Sequence, residues 1–309
     1  MKKRNKNRIF KKIDKKAALT TQQIVILIIL ITSFLIIMFF IFRLNLQETT
    51  DKDVCHNSVV LRANAALPAE TIPLNCKTNY VCITKDNTCE GMPYYSYKIN
   101  VKNKQEMYEA LAEEMADCWW MFGEGKINYV SNKDFTKKLY CSICSQFNFD
   151  DSIKDIFPSG FIDKDDFYIN YLAKTKIPRK EITYAEYLFG TNDVRSILES
   201  AKEADTFGKI NISETNALLM GIMSKTSAWK WAGVGVLTAA GAVAGLIFFT
   251  PITIGAISGG IILVSGAGTG ILTSVIIDGA SGNKYLAPTI ISFPKDYDKL
   301  KCTYVVTKG

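Results

Sequence analysis

A 19-residue apolar run near the start of the chain constrains the fold most strongly. It extends from Ile24 to Phe42, and its only polar members are Thr32 and Ser33. As a helix it would be roughly 28 Å long, which matches the hydrocarbon core of a bilayer. A helix buried in a soluble core would normally carry a polar stripe, and this run has none. It therefore predicts an uncleaved transmembrane anchor at 24–42, because no small-residue cleavage site follows it.

The positive charge of the chain is concentrated ahead of this run. Residues 1–16 hold nine Lys or Arg and one acid, whereas the remaining residues hold 28 basic and 29 acidic side chains. The positive-inside rule then predicts a cytoplasmic basic tail at 1–23 and an extracytoplasmic main domain in a cell-membrane protein. Because the charge forms one terminal block, we do not expect nucleic acid as a partner.

Every cysteine follows the predicted anchor, which indicates a disulfide framework in an oxidising compartment. The eight candidates are Cys55, Cys76, Cys82, Cys89, Cys118, Cys141, Cys144 and Cys302. The close spacing of Cys76, Cys82 and Cys89 predicts at least one local bridge. The sequence leaves the full pairing open.

Cys141 and Cys144 have the spacing of a redox-active dithiol. A structural disulfide is the favoured interpretation, because the charged residues 132–139 do not resemble the buried strand that precedes a thioredoxin-like site. A zinc site that adds Cys118 lacks a second CxxC and a nearby histidine, so we expect no metal. His56, the only histidine, is expected to be structural. We therefore predict no cofactor and no enzyme, with Cys141 and Cys144 as weak redox candidates.

The region 47–228 is predicted to be an extracytoplasmic α+β domain. Residues 94–101 alternate as a strand does, and Asn103 with Glu106 predicts a capped helix start. The buried face of that helix is expected to carry Met107, Leu111, Met115, Cys118, Trp119 and Phe122, with Gly123 at its end. Residues 149–166 are rich in aspartate without the calcium-loop spacing, so we expect a solvated loop.

Residues 229–277 form a glycine-rich apolar segment. From Trp231 to Ile277 there is no charge and there are ten glycines, and Pro251 divides the segment. Three GxxxG spacings favour close helix packing in a membrane; they are Gly241/Gly245, Gly255/Gly259 and Gly266/Gly270. We expect a transmembrane helical hairpin, after which 278–309 form a β segment that completes the outer domain as a strand hairpin within 287–308. Conditional insertion and burial within the outer domain stay open, because the inner turn lacks Lys and Arg.

Two resemblances concern the cellular setting. Lys15-Lys16-Ala17-Ala18 before the apolar run resembles the class III signal of archaeal pilin-like proteins, which implies cleavage after Ala17. Gln22 stands where pilins carry an acidic residue. The stretches LTTQQIVILIILITSF, CHNSVVLRANAALPAETIPLNC and ADCWWMFGEGK together resemble membrane proteins of small-genome archaea. That resemblance implies an archaeal-type cell surface and brings no activity or catalytic residue.

These observations favour a membrane-anchored protein of the cell envelope with a structural or protein-interaction role. The expected partners are the lipid bilayer and either further copies of the chain or other envelope proteins. Three alternatives stay open: an oligomeric, membrane-perturbing or pore-like protein that works through 231–277, an extracytoplasmic thiol-disulfide oxidoreductase, and a pilin-like subunit.

Overall fold

The chain divides into two compact units, Met1–Gln47 and Glu48–Gly309. The computed structural model describes residues 21–43, 46–65, 71–90, 92–130, 139–190, 198–199, 207–224, 251–254, 257–260, 262–264, 274–279, 283–300, 302–305 and 307.

The first unit contains one long apolar helix, α1 (Thr21–Arg43). Its window Gln22–Phe39 is long and apolar enough to cross a membrane, and none of these eighteen side chains is buried. The hydroxyl of Thr32 donates to the carbonyl of Ile28 at 3.0 Å, and that of Ser33 donates to the carbonyl of Leu30 at 2.9 Å. The polar atoms of both side chains are thus satisfied within the helix, which suits an apolar environment.

The second unit is built on a mixed β-sheet. Among the described residues, eight strands join it in the order β2-β1-β3-β6-β11-β10-β9, with β12 paired to β3. The strands of the chain are β1 (Asn79–Thr84), β2 (Tyr97–Asn100), β3 (Tyr140–Phe149), β4 (Phe161–Asp163), β5 (Lys209–Asn211), β6 (Asn216–Met223), β7 (Pro251–Ile254), β8 (Ile257–Gly260), β9 (Ile262–Val264), β10 (Ser274–Asp278), β11 (Lys284–Ser292) and β12 (Thr303–Tyr304). Strand β1 lies parallel to β2 and β3, whereas β3, β6, β11, β10 and β9 are successively antiparallel.

Both faces of the sheet are covered, as the central strand β6 demonstrates. All eight of its residues are buried. Leu218, Met220 and Ile222 belong to the larger apolar cluster, and Ala217 and Leu219 belong to a smaller one. Since successive strand residues point to opposite faces, the two clusters lie on opposite sides of the sheet.

Four further helices belong to the described chain: α2 (Leu46–Asn64), α3 (Lys104–Met121), α4 (Tyr184–Phe189) and α5 (Lys295–Leu300). Helix α3 packs against β6 and β11. The predicted cap is confirmed, because the Asn103 side chain accepts from the backbone N–H of Glu106 at 2.9 Å. Gly123, with φ of 81°, follows its C-terminus. The predicted apolar face of α3 is confirmed as well, since all six of its residues are buried.

The prediction of a helical hairpin at 229–277 is wrong wherever the structure describes that segment. Strands β7 and β8 pair with each other, and β9 pairs with β10, which pairs in turn with β11. Residues 262–264 and 274–278 are therefore paired within the sheet, and their Ile and Val residues suit strands. Gly259 lies in β8 opposite Ile252. The other five GxxxG positions, Gly241, Gly245, Gly255, Gly266 and Gly270, lie outside the described residues.

Two smaller expectations also change. The aspartate-rich residues 149–166 are not a plain loop, because they contain a 3-10 helix at Asp151–Asp155 and strand β4. A π-helical segment, Asp166–Leu172, begins at their end. The closing residues were expected to form a hairpin, yet β12 pairs in parallel with β3 rather than with β11. Helix α5 separates β11 from β12 and allows this crossover.

Candidate interaction surface

All eight cysteines are paired in four disulfides: Cys55–Cys76, Cys82–Cys89, Cys118–Cys144 and Cys141–Cys302. The expectation of a disulfide-stabilised α+β domain is thereby confirmed, and so is the expected local bridge, which joins Cys82 to Cys89. The two cysteines of the CxxC motif belong to different bridges. Cys144 joins β3 to α3, and Cys141 joins β3 to the residue before β12.

The structure therefore does not pair Cys141 with Cys144, and it does not free the thiols that the weak redox hypothesis and the zinc alternative require. The physical reason is that the motif lies within an extended strand, where residues three positions apart point to opposite faces. Cys144 packs in the larger apolar cluster and Cys141 in the smaller one. Both are almost completely buried. In the described part of the chain, no group of His, Cys, Asp and Glu could hold a metal ion.

A buried charge network joins α2, α3 and the sheet. The Lys52 ammonium donates to Glu114 Oε1 at 3.0 Å and to Asp117 Oδ2 at 2.7 Å. Glu114 also accepts from the Tyr97 hydroxyl at 2.6 Å and from the Ser145 hydroxyl at 2.8 Å. Burial alone would lower the pKa of Lys52, but the carboxylates of Glu114 and Asp117 hold it above its ordinary value. The network is internally satisfied, which indicates a structural role.

His56 is also structural, as expected. Its ring stacks on Trp120 with centroids 4.1 Å apart, and its Nδ1 lies 2.7 Å from the carbonyl oxygen of Trp120. The neighbouring Trp119 is buried and meets Tyr285 edge-on. Both tryptophans are thus engaged within the domain.

A cleft of about 450 Å³, here called the charged cleft, lies beside the π-helical segment. It is lined by Lys104, Asp163, Asp165, Asp166, Phe207, Gly208 and Lys209. Asp166 accepts from Lys104 at 2.6 Å and from the Tyr108 hydroxyl at 2.8 Å. Burial would raise the pKa of Asp166, but hydrogen bonds from Lys104, Asn170 and Tyr108 lower it to about 2. Lys209 pairs with Asp163 at 3.3 Å. The charges of this cleft largely neutralise one another.

A second cleft, of about 550 Å³, is here called the tyrosine cleft. It is lined by Tyr80, Glu90, Met92, Pro93, Tyr94, Asn148 and Phe149. Its floor comes from β1 and the end of β3, where Cys82 lies opposite Asn148. Val81 and Ile83 point into the larger cluster, so Tyr80 and Cys82 point to the other face of the sheet.

The chain between β1 and β2 forms the wall of the tyrosine cleft and is fixed at several points. The Cys82–Cys89 disulfide holds it to β1. The backbone N–H of Glu90 donates to the buried Asp150 carboxylate at 2.9 Å, and that of Ser96 donates to the Tyr80 carbonyl at 2.7 Å. A wall held in this way loses little conformational entropy when a ligand binds.

The tyrosine cleft exposes aromatic rings to solvent. The exposed fraction of Tyr94 is 85%, and that of Tyr80 is 47%. Tyr95, next to the cleft, is also exposed. Tyrosine combines a large apolar face with a polar tip and is enriched at protein interfaces. Of the described clefts, this one resembles a binding surface more closely than the charged cleft does.

One buried lysine is a further feature that sequence reasoning missed. Only 3% of Lys164 is exposed. Burial lowers its pKa to about 8, and Asp296 opposes this shift only in part. Lys164 lies within the aspartate-rich run, where a sequence pattern gives no reason to single out one cation for burial.

The comparisons with known proteins add no assignment. No protein-family model, no curated protein and no solved structure matches the chain.

Proposed function

We propose that the chain is a membrane-anchored protein of the cell envelope whose outer unit binds other proteins. The observation that carries the proposal is the pairing of two features in one chain. None of the eighteen residues in the mostly apolar window of helix α1 is buried, and all eight cysteines, which follow it, are in disulfides. The first feature favours a bilayer, and the second favours an oxidising compartment on its outer side.

The basic tail at 1–16 supports a cytoplasmic N-terminus for this anchor. A binding role, as opposed to a purely structural one, is supported by the tyrosine cleft. Its exposed Tyr80 lies on strand β1, and its exposed Tyr94 lies on a wall fixed by a disulfide and by backbone hydrogen bonds. Rigid aromatic side chains of this kind supply much of the binding energy at protein interfaces.

The proposal is tested by expressing the full chain in cells with an oxidising envelope compartment. Membranes are washed with alkaline carbonate, and free thiols are then counted with a maleimide reagent before and after reduction. We expect the chain to stay in the membrane pellet and to react only after reduction. Release by carbonate, or thiols that react without reductant, would contradict the proposal. The mass of the N-terminal fragment separately tests pilin-like processing, which requires a chain that begins at Ala18.

A further inference from the structure

We propose that the tyrosine cleft binds a lysine or arginine side chain of an extracytoplasmic partner protein. This inference rests on the proposed protein-binding function and names the chemistry of the partner. It is carried by the charge, the aromatic content and the rigidity of the cleft.

The charge of the cleft favours a cation. Among the described residues that line the cleft, Glu90 is the only one with an ionisable carboxyl group, and none is a Lys or Arg. The backbone N–H of Glu90 is used by Asp150. Within the described part of the chain, its carboxylate has no hydrogen-bond donor and no cationic partner. An anionic group in the cleft would be repelled by Glu90, whereas a cation would gain a carboxylate partner.

The aromatic lining favours the same kind of ligand. Tyr80, Tyr94 and Phe149 line the same cleft as Glu90. The face of an aromatic ring attracts a cation, so aromatic rings and a carboxylate in one cleft suit an ammonium or guanidinium group. Met92 and Pro93 add an apolar surface on which the aliphatic stem of a lysine or arginine can lie.

Two lysines of the chain close to this region are engaged elsewhere. Lys98 donates to the carbonyl of Asn87 at 3.0 Å, and Lys85 pairs with Asp155 at 2.9 Å. The Asn148 side-chain oxygen accepts from the Thr215 hydroxyl at 2.7 Å, which fixes the amide at the floor of the cleft. Neither lysine is therefore expected to occupy the cleft, and the proposal assigns the cation to a second molecule.

The test uses the full chain in nanodiscs and a tetravalent probe, because one side chain alone binds weakly. The probe is streptavidin that carries four copies of a biotinylated Ser-Gly-Arg-Gly-Ser peptide. Matched probes carry Lys, Gln or Glu in place of Arg, and a fourth carries a neutral glycan. We expect the Arg and Lys probes to bind about tenfold more tightly than the Gln probe, and the Glu probe to bind least.

Substitutions then locate the site. Tyr94→Ala and Glu90→Gln should each weaken binding of the Arg probe about tenfold, while Glu90→Asp should retain most of it. Tyr304→Ala and Glu109→Gln, which change exposed residues outside the cleft, are the matched controls and should bind as the unmodified chain does. Equal binding of the Gln and Arg probes, preferential binding of the glycan probe, or insensitivity to both cleft substitutions would overturn the inference.

Failure of this inference differs from failure of the proposed function. If the chain is carbonate-resistant and fully disulfide-bonded but ignores the Arg and Lys probes, the ligand chemistry is wrong and the anchored envelope protein stands. If it is released by carbonate or carries reactive thiols, the proposed function fails whatever the probes show.

Discussion

Helices α1 and α3 have similar lengths, 23 and 18 residues, but they differ in how much of their surface is buried. The apolar window of α1 has no buried side chain, whereas α3 buries ten of its residues against the sheet and its neighbours. Helix α3 places polar residues on one side and is therefore suited to an interface between protein and water. Helix α1 has no polar side, so a bilayer is the surrounding that its composition favours.

This contrast separates two kinds of stabilisation. The position of α1 is expected to depend on lipid and on the apolar character of its surface. The position of α3 depends on specific partners, namely a disulfide to β3 and the buried Lys52–Glu114 pair. Charged substitutions on the apolar surface of α1 should therefore disturb α1 most, and loss of a single partner should disturb the second unit most.

The largest expected effect comes from charging α1. Replacing Leu30 and Ile31 by arginine should cost about 5 to 7 kcal/mol of insertion free energy, because each arginine at the centre of a span costs about 3 kcal/mol. Membrane association, measured by carbonate extraction, should be largely lost. The control Glu109→Arg changes an exposed position on α3 and should leave the extraction unchanged. Retained association of the double variant would contradict a membrane role for α1.

Removing the disulfide that closes the longest loop should destabilise the second unit next most strongly. Cys141 and Cys302 are 161 residues apart, whereas Cys82 and Cys89 are seven apart. From loop-closure entropy, replacing Cys141 and Cys302 by alanine should lower the free energy of unfolding by about 5 kcal/mol. Replacing Cys82 and Cys89 should lower it by about 2 kcal/mol. Denaturant unfolding of the two variants measures the difference. Equal losses would contradict the entropic account of these bridges.

The buried charge network should contribute a smaller amount. After Glu114→Ala, Asp117 is the remaining carboxylate of the network that contacts the buried ammonium of Lys52. We therefore expect the free energy of unfolding to fall by about 3 kcal/mol. Replacing Lys52 by methionine and Glu114 by leucine together should cost less than Glu114→Ala alone. Thermal unfolding of the single and double variants measures this coupling. A double variant less stable than the single one would show that the pair itself is strongly favourable.

Substitution of the buried Lys164 should have the smallest effect, and it should stabilise. The pKa of this lysine falls to about 8 in the folded chain, so folding is penalised at neutral pH. The penalty is fully present below about pH 8 and is relieved as the pH rises toward the ordinary lysine pKa. Lys164→Met should therefore raise the free energy of unfolding by about 1 to 3 kcal/mol at pH 7. It should also remove the rise in stability between pH 8 and 10.

If unfolding of Lys164→Met keeps the same dependence on pH over this range as the unmodified chain, another group is responsible. A variant at an exposed lysine, Lys174→Met, controls for the change in net charge.

The features that could be predicted from the sequence are local ones. An apolar run without a polar stripe predicts α1, and the spacing from Met107 to Phe122 predicts the buried face of α3. The even number of cysteines after the anchor predicts a disulfide framework. For the two helices the signal lies within about twenty residues, and none of the three signals depends on how distant segments meet.

The features that were missed depend on long-range contacts. Cys141 and Cys144 form a motif in sequence, but a strand points them to opposite faces. Glu114 follows Met107 by seven residues, so it lies on the apolar face of α3. A carboxylate on that face needs a partner, and this was the signal that the sequence offered. The partner, Lys52, is 62 residues away. Residues 262–264 and 274–277 belong to the glycine-rich segment and were assigned to helices, because their pairing within the sheet with distant strands leaves no local signature.

The tyrosine cleft was missed for the same reason. Its lining comes from β1, from the connection to β2 and from the end of β3. Alternation along β1 places Val81 and Ile83 in the core and thus indicates that Tyr80 points outward. The sequence does not show that the folded chain brings Tyr94 and Glu90 into the same cleft as Tyr80.

The most direct test of the central claim is a protease-protection measurement on intact spheroplasts that contain the full chain, with one epitope tag at each end. The account predicts that added protease removes the C-terminal tag and leaves the N-terminal tag intact until the cells are lysed. Removal of the N-terminal tag with protection of the C-terminal tag would contradict it, as would protection of both.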